Sequence, residues 1–350
     1  MVTSEVVSRD ALLDKLLKRN LPYGEIVSLM NTCLTSIQVT EDDIKNRQQK
    51  VLQYRQQLQM LLDLPKMLQR SPEWYEARKG LITASEFAQA LGKAKFGTQK
   101  QYFQRKCGYE VDKGLSSTLP PLKWGIMFEP VACELYALKS GQVVHDFGLL
   151  RHPTIHFFGA SPDGITDDGI MLEIKCPMQR KITGEIPLQY QYQIQGQLSV
   201  CNLEECDYLE CSFQEDLKED WVDIESEKGI IIETSRETAD GVEFDYVYSP
   251  IWNKNTSIAE VEDWERCNQN ETAVMRYWSL QIYSVIRVYR DDKFLKEAFN
   301  SLQEVWDRIN IYKEDKNAYS NHMSSSRKVT HQTQSQTTTT DYMFLDDDES

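Results

Sequence analysis

The sequence predicts an α/β (α+β) protein whose centre runs helix, three strands, helix, strand, with helices added in front and strands plus a helix behind. Three observations predict this. Residues 122–140, "LKWGIMFEPVACELYALKS", bring Trp124, Phe128, Val131, Leu135 and Leu138 near one helical face. Short apolar runs at about 143–150, 155–160 and 170–175 read as strands, and Asp167-Asp168-Gly169 is a tight turn before the third. Residues 187–202, including "LQYQYQIQGQLSVC", repeat apolar groups at helical spacing and precede the strand "CDYLECSF" at 206–213.

The flanking elements follow from the same signals. "DALLDKLLKRN" has helical apolar spacing, and Thr40 with Asp43 caps a second helix that Pro65 ends. Ile44, Val51 and Leu58 repeat every seven residues, but Arg47 and Tyr54 interrupt the companion row, so packing on the main domain is expected over a coiled coil. Gly141 stops the helix of 122–140. Further strands are expected at 229–234, 243–249 and 277–288, and a last helix at 291–313. Residues 320–340, "SNHMSSSRKVTHQTQSQTTTT", are polar and of low complexity, and read as disordered. The expected division is a helical extension (1–69), one large domain (70–315) and a disordered polar, acidic tail (316–350) ending "DYMFLDDDES", which has the make-up of a docking peptide or a solubilising tail.

Composition narrows the function. The formal net charge of −15 argues against polyanion binding by bulk charge, yet Arg70, Arg78, Lys79, Lys93, Lys95, Lys100, Arg105 and Lys106 face only three acids between 70 and 106. Eight cysteines without a CxxC pair, and without a histidine cluster, read as reduced thiols rather than zinc or iron–sulfur ligands. The N-terminus lacks the apolar core of a signal peptide and no apolar run reaches membrane-spanning length, so a soluble intracellular protein is expected.

The chemistry centres on "GASPDGITDDGIMLEIKCP" (159–177). Residues two apart on a strand share a face, so Glu173 and Lys175 point together while Ile174 points away. Pairing with the segment before the Asp-Asp-Gly turn brings Asp163 alongside. Two carboxylates at close quarters repel unless a proton or a cation is shared. Mg²⁺ suits oxygen ligands and keeps open positions for a phosphate oxygen and a water, which Lys175 can orient. A surface hairpin with ordinary salt bridges would carry the same three residues. The apolar company of Met171, Leu172, Ile174 and Cys176 argues against it.

"GASPDG…LEIKCP" resembles the core of the PD-(D/E)xK nuclease superfamily, with a restriction-endonuclease-like fold. With "WYEARKGLITASEF" (74–87), "WGIMFEPVA" (124–132) and "QYQYQIQGQL" (189–198), the set resembles the YqaJ-like viral recombinase branch, which includes lambda-type exonucleases. The resemblance covers about 70–215 and continues weakly to 313. It implies that Asp163, Glu173 and the Ile174 carbonyl bind metal, that Glu129 reaches the metals directly or through water, and that Lys175 activates the water. Gln193 matches the glutamine near the metals, with Gln195 as a competing match. Arg78 and Ser85 match residues that bind a terminal 5′-phosphate, Ser161 adds a hydroxyl, and Arg180 or Lys181 stands where another phosphate-binding arginine belongs. Family spacing favours position 181, where this chain has lysine.

The function this implies is a metal-dependent deoxyribonuclease, a 5′→3′ exonuclease that resects duplex DNA ends for recombination or repair. It would use Mg²⁺, two ions per site with Mn²⁺ as a substitute, and partner with DNA ends and a single-strand annealing or recombination protein. A homo-oligomer is open. A viral source would place it in the cytoplasm or nucleus of an infected cell. The competing readings are a structure- or sequence-dependent endonuclease and a non-catalytic binding module on the same fold.

Overall fold

A computed structural model describes residues 8–34, 38–109, 119–238, 241–268 and 273–324. The chain opens with three helices, α1 (Arg9–Leu17), α2 (Tyr23–Cys33) and α3 (Glu41–Leu62). Thr40 and Asp43 close the expected capping box at the start of α3. Leu13, Leu16, Ile26, Met30, Val39 and Ile44 form a small core of their own. The far end of α3 is different: Leu58 and Leu61 enter the main core, so the helix packs on the domain as its interrupted heptads suggest.

Next come α4 (Pro72–Lys79), β1 (Ile82–Thr83), α5 (Phe87–Ala90) and α6 (Gln99–Lys106). The centre is α7 (Pro120–Ser140), β2 (Val144–His145), β3 (Leu150–Arg151), β4 (Phe158–Ala160), β5 (Gly164–Thr166), β6 (Met171–Lys175), α8 (Leu188–Cys201) and β7 (Glu205–Asp216). The chain then adds α9 (Lys218–Trp221), β8 (Lys228–Thr238), β9 (Gly241–Tyr248), α10 (Ile258–Asn268), β10 (Val274–Tyr289), α11 (Asp292–Glu314) and α12 (Lys316–Ser324).

Seven strands form the main sheet in the order β2-β5-β6-β7-β10-β8-β9, and β1-β4-β3 form a small second sheet. The order α7, then β2, β5 and β6, then α8 and β7 is that of a restriction-endonuclease-like core. Strand β6 runs parallel to β7, with α8 as the crossover between them, while β5 and β6 are antiparallel. Alternation along β6 divides two layers. Leu172 and Ile174 pack with Phe128, Val131 and Leu135 of α7. Met171 packs with Ile194 and Leu198 of α8 and with Leu302 and Val305 of α11. Gly196 lets α8 sit close, because a Cβ there would stand 2.9 Å from the Phe158 ring and 3.1 Å from Phe87.

Two expectations change. The run at 143–150 is two strands in two sheets, β2 beside β5 and β3 beside β4. The chain crosses between them at Gly148, where a Cβ would fall 1.6 Å from the Met67 carbonyl oxygen. Residues 316–324, assigned to a disordered tail, are the helix α12, because Tyr319 and His322 pack on Tyr312, and Lys100 bonds the Met323 carbonyl at 2.7 Å. The remainder of the tail, including its acidic end, lies outside the described residues. Among the described residues no helix is long and apolar enough to cross a membrane.

Candidate active site

The turn at Gly169, with φ +71°, fixes the β5–β6 register so that Gly164 faces Leu172. One step further along, Asp163 faces Glu173. The Ile174 amide donates to Asp163 Oδ2 at 2.7 Å, which ties the carboxylate to the neighbouring strand. Glu173 is fully buried, and Lys175, on the same face, places Nζ 3.1 Å from its Oε1. Burial first, and then the charges of Glu173 and Glu129, push the Asp163 pKa well above the ordinary aspartate value, while Lys175 and the Ile174 amide pull it down. Burial thus leaves this acidic site strained as an anion, and a hard cation would relieve it.

Glu129, on α7, lies in the field of Asp163 but bonds Arg70 at 3.1 Å. Among the described residues no three His, Cys, Asp or Glu side chains stand together at metal-holding spacing. The carboxylates that stand together are Asp163 and Glu173, while Glu129 is engaged by Arg70. The donor set still fits Mg²⁺ in type, being hard, anionic oxygen that leaves several positions for water.

The glutamine that reaches the centre is Gln197, not Gln193. Its Nε2 donates to Glu173 Oε2 at 2.7 Å. Gln193 is half-buried one helical turn earlier on the same side of α8. Gln195 faces another way, donating to the Tyr289 carbonyl at 2.8 Å and accepting from the Asp291 amide at 2.8 Å.

A second cluster gathers the expected phosphate-binding residues. The Arg78 guanidinium lies over the Trp74 ring at 4.1 Å and donates to Ser85 Oγ at 3.3 Å and Thr83 Oγ1 at 3.4 Å. Trp74 Nε1 donates to Ser161 Oγ at 3.0 Å, two residues before Asp163. One indole thus links Arg78 and Ser85 to the acidic centre. Nearby, Arg105 and Lys106 are turned inward on Glu86, at 3.6 and 2.8 Å, and hold its carboxyl below the usual range. The basic excess at 70–106 is partly spent on internal pairs and is not wholly a surface for a polyanion.

Arg180 and Lys181 part company. Lys181 is exposed. Arg180 is folded back onto Glu210 at 2.5 Å. Glu210, like Gln197, was not among the expected residues, although a glutamate on an apolar strand is the signal that singled out Glu173.

Residues 73–204 match the model of the YqaJ-like viral recombinase domain. The likeness is to this segment and not to the whole chain. The segment holds Arg78, Ser85, Glu129, Asp163, Glu173, Lys175 and Gln197 and ends just before β7. Beyond this segment, "Uncharacterized protein R354" of Acanthamoeba polyphaga mimivirus is 26% identical over 308 residues. That match covers 73% of this chain and 55% of R354, so the chain spans little more than half of its relative's length. Among solved structures, LHK-Exo in complex with dAMP is 21% identical over 73% of this chain and all of its own, with a TM-score of 0.45. The alkaline exonuclease LHK-Exo from Laribacter hongkongensis is 20% identical over the same shares, with a TM-score of 0.42. A phage-related exonuclease from Haemophilus somnus 129PT is 12% identical over 70% of this chain and 96% of that one, with a TM-score of 0.37.

Proposed function

We propose that the protein is a metal-dependent deoxyribonuclease that hydrolyses duplex DNA from its ends, 5′→3′, to expose single strands for recombination or repair. The observation that carries this reading is the Asp163–Glu173 pair, one carboxylate just before β5 and the other on the apolar strand β6 beside Lys175. Asp163, Glu173 and the Ile174 carbonyl would hold Mg²⁺, with Glu129 acting through a water. When bound, the metal supplies charge to a phosphate oxygen and lowers the pKa of a water.

The chain's own residues do the rest. Lys175, anchored on Glu173, orients the attacking water by its ammonium. Gln197 holds the other Glu173 oxygen and so fixes the carboxylate's rotamer. Arg78, flat on Trp74 and next to Ser85, is shaped for a terminal 5′-phosphate, since a planar guanidinium binds phosphate oxygens in pairs. Ser161, bonded to the same indole, couples that pocket to the acidic pair.

The test uses the full chain with Mg²⁺ on end-labelled linear duplex, with closed circular DNA alongside. Linear duplex should be degraded and circles should resist. A 5′-phosphate should speed degradation about tenfold to a hundredfold, the worth of one charge-assisted contact, and Arg78→Ala should remove most of that preference. Nicking of closed circles, with equal rates on both kinds of end, would replace the exonuclease by an endonuclease. No cleavage of any DNA would refute both.

A further inference from the structure

The active-site face of the sheet carries a second buried carboxylate. In the parallel β6–β7 pairing Glu173 stands beside Tyr208, and Lys175 beside Glu210. Adjacent strands lie about 4.8 Å apart, so Glu210 is the near neighbour of the lysine that anchors on Glu173. Glu210 is fully buried, and its Oε1 accepts from Arg180 at 2.5 Å and from the Tyr208 hydroxyl at 2.8 Å. Among the described residues its Oε2, also buried, has no hydrogen-bond partner. The Arg180 guanidinium lies 5.7 Å from the Tyr190 ring centre, and Lys175 Nζ lies 4.7 Å from the same centre. One aromatic ring therefore seats both cations.

A buried ion pair that serves stability alone needs all its lone pairs satisfied, or it costs more than an apolar pair would. Glu210 does not meet that condition. What it does achieve is placement: it draws an arginine from the loop after β6 back to the reaction centre. Without the carboxylate, a side chain this long and this charged would turn to solvent.

We infer that Glu210 is a positioning residue, whose carboxylate and Tyr208 partner hold Arg180 on Tyr190 beside Lys175, where Arg180 grips a backbone phosphate of the bound strand next to the one hydrolysed. The inference rests on the nuclease reading and separates the two arginines: Arg78 serves the terminal phosphate, Arg180 an internal one. Glu210 lies past the end of the YqaJ-like segment, so β7 completes a site that the segment begins.

The sign of a charge change tests it. Removing a negative charge from a DNA-binding cleft ordinarily tightens binding, because phosphates are repelled less. If Glu210 positions Arg180, Glu210→Gln does the opposite. Binding of a linear 5′-phosphorylated duplex is measured by fluorescence anisotropy in EDTA, where nothing is cleaved, across a salt series. Glu210→Gln and Arg180→Gln should each weaken binding about tenfold. Each should flatten the dependence of log affinity on log salt by about one, the share of one phosphate contact. The double variant should bind no more weakly than Arg180→Gln, and the preference for 5′-phosphate over 5′-hydroxyl ends should survive in all three. Tyr208→Phe, which keeps the ring and the charge, should shift binding the same way by less, and it stands in if Glu210→Gln does not fold. Unchanged or tighter binding by Glu210→Gln, or by Tyr208→Phe where it must stand in, or additive losses in the double variant, would overturn the inference while the nuclease reading stands. A wild-type chain that neither binds nor cuts duplex DNA would remove both.

Discussion

Asp163 illustrates how a residue proposed for chemistry can be poor for stability. Its half-buried carboxylate stands opposite Glu173 and its pKa is raised, so the folded protein holds that proton more tightly than the unfolded chain does. The contribution to stability is full below the ordinary aspartate value of 3.8 and is lost as pH rises through the elevated folded value. The metal-free protein should therefore become less stable from acid toward neutral pH on this account, and Mg²⁺ should restore what is lost. Asp163→Asn removes the charge, so in EDTA at neutral pH its melting temperature should exceed that of the wild type by roughly 2 °C or more, with no further gain from Mg²⁺. Calorimetry over pH with and without metal checks this; a lower melting temperature for Asp163→Asn in EDTA would show that the carboxylate is not strained. Residues of this kind were legible in the sequence. Asp163, Glu173 and Lys175 lie within thirteen positions, and one turn and the strand's two-residue period fix their relation. Gln197 was harder, because Gln189, Gln191, Gln193, Gln195 and Gln197 alternate through the whole helix, and nothing local says which of them faces the sheet.

Between elements, the N-terminal helices are fastened to the sheet by buried charge. Arg47 of α3 bonds Asp14 of α1 at 2.7 Å and also Glu205 of β7. Arg287 of β10 bonds Glu205 as well, and Asp207 at 2.5 Å, while the Tyr136 hydroxyl from α7 reaches Asp207 at 2.6 Å. Burial raises the Asp14 pKa, whereas the two arginines hold Glu205 below the usual range despite its burial. Arg47→Ala strips compensation from Glu205 and Asp14 at once, so it should cost about 3–5 kcal/mol, read as a fall in the urea midpoint. A loss under 1 kcal/mol would mean that water or rearrangement replaces the guanidinium. Sequence patterns identified the elements of this assembly and not its joints. The α3 cap, the Gly141 stop and the β7 strand follow from local rules, but that Arg47 meets Glu205, 158 positions away, follows only from the packing. Glu210 and Lys175 likewise meet through a parallel crossover, which leaves no local spacing to read. The break between β2 and β3 escaped notice because its cause, the Met67 backbone pressed against Gly148, comes from a distant segment.

For the whole molecule, the YqaJ-like segment supplies the acidic pair, the arginine–tryptophan pocket and Gln197, while β7 beyond it sets Tyr208 beside Glu173 and Glu210 beside Lys175. The sum of charge is −15, yet Lys175 and Arg180 both lie near the Tyr190 ring, and Arg78 connects to the acidic centre through Trp74 and Ser161. Everything proposed here turns on hydrolysis at Asp163, Glu173 and Lys175. The most direct measurement is single-turnover cleavage of linear duplex by wild type, Asp163→Ala and Glu173→Ala across a Mg²⁺ titration, with duplex binding in EDTA measured in parallel. The account predicts metal-dependent product from the wild type and none from either variant at any Mg²⁺ concentration, with binding retained by both. Near-normal turnover by either variant at saturating Mg²⁺ would contradict it.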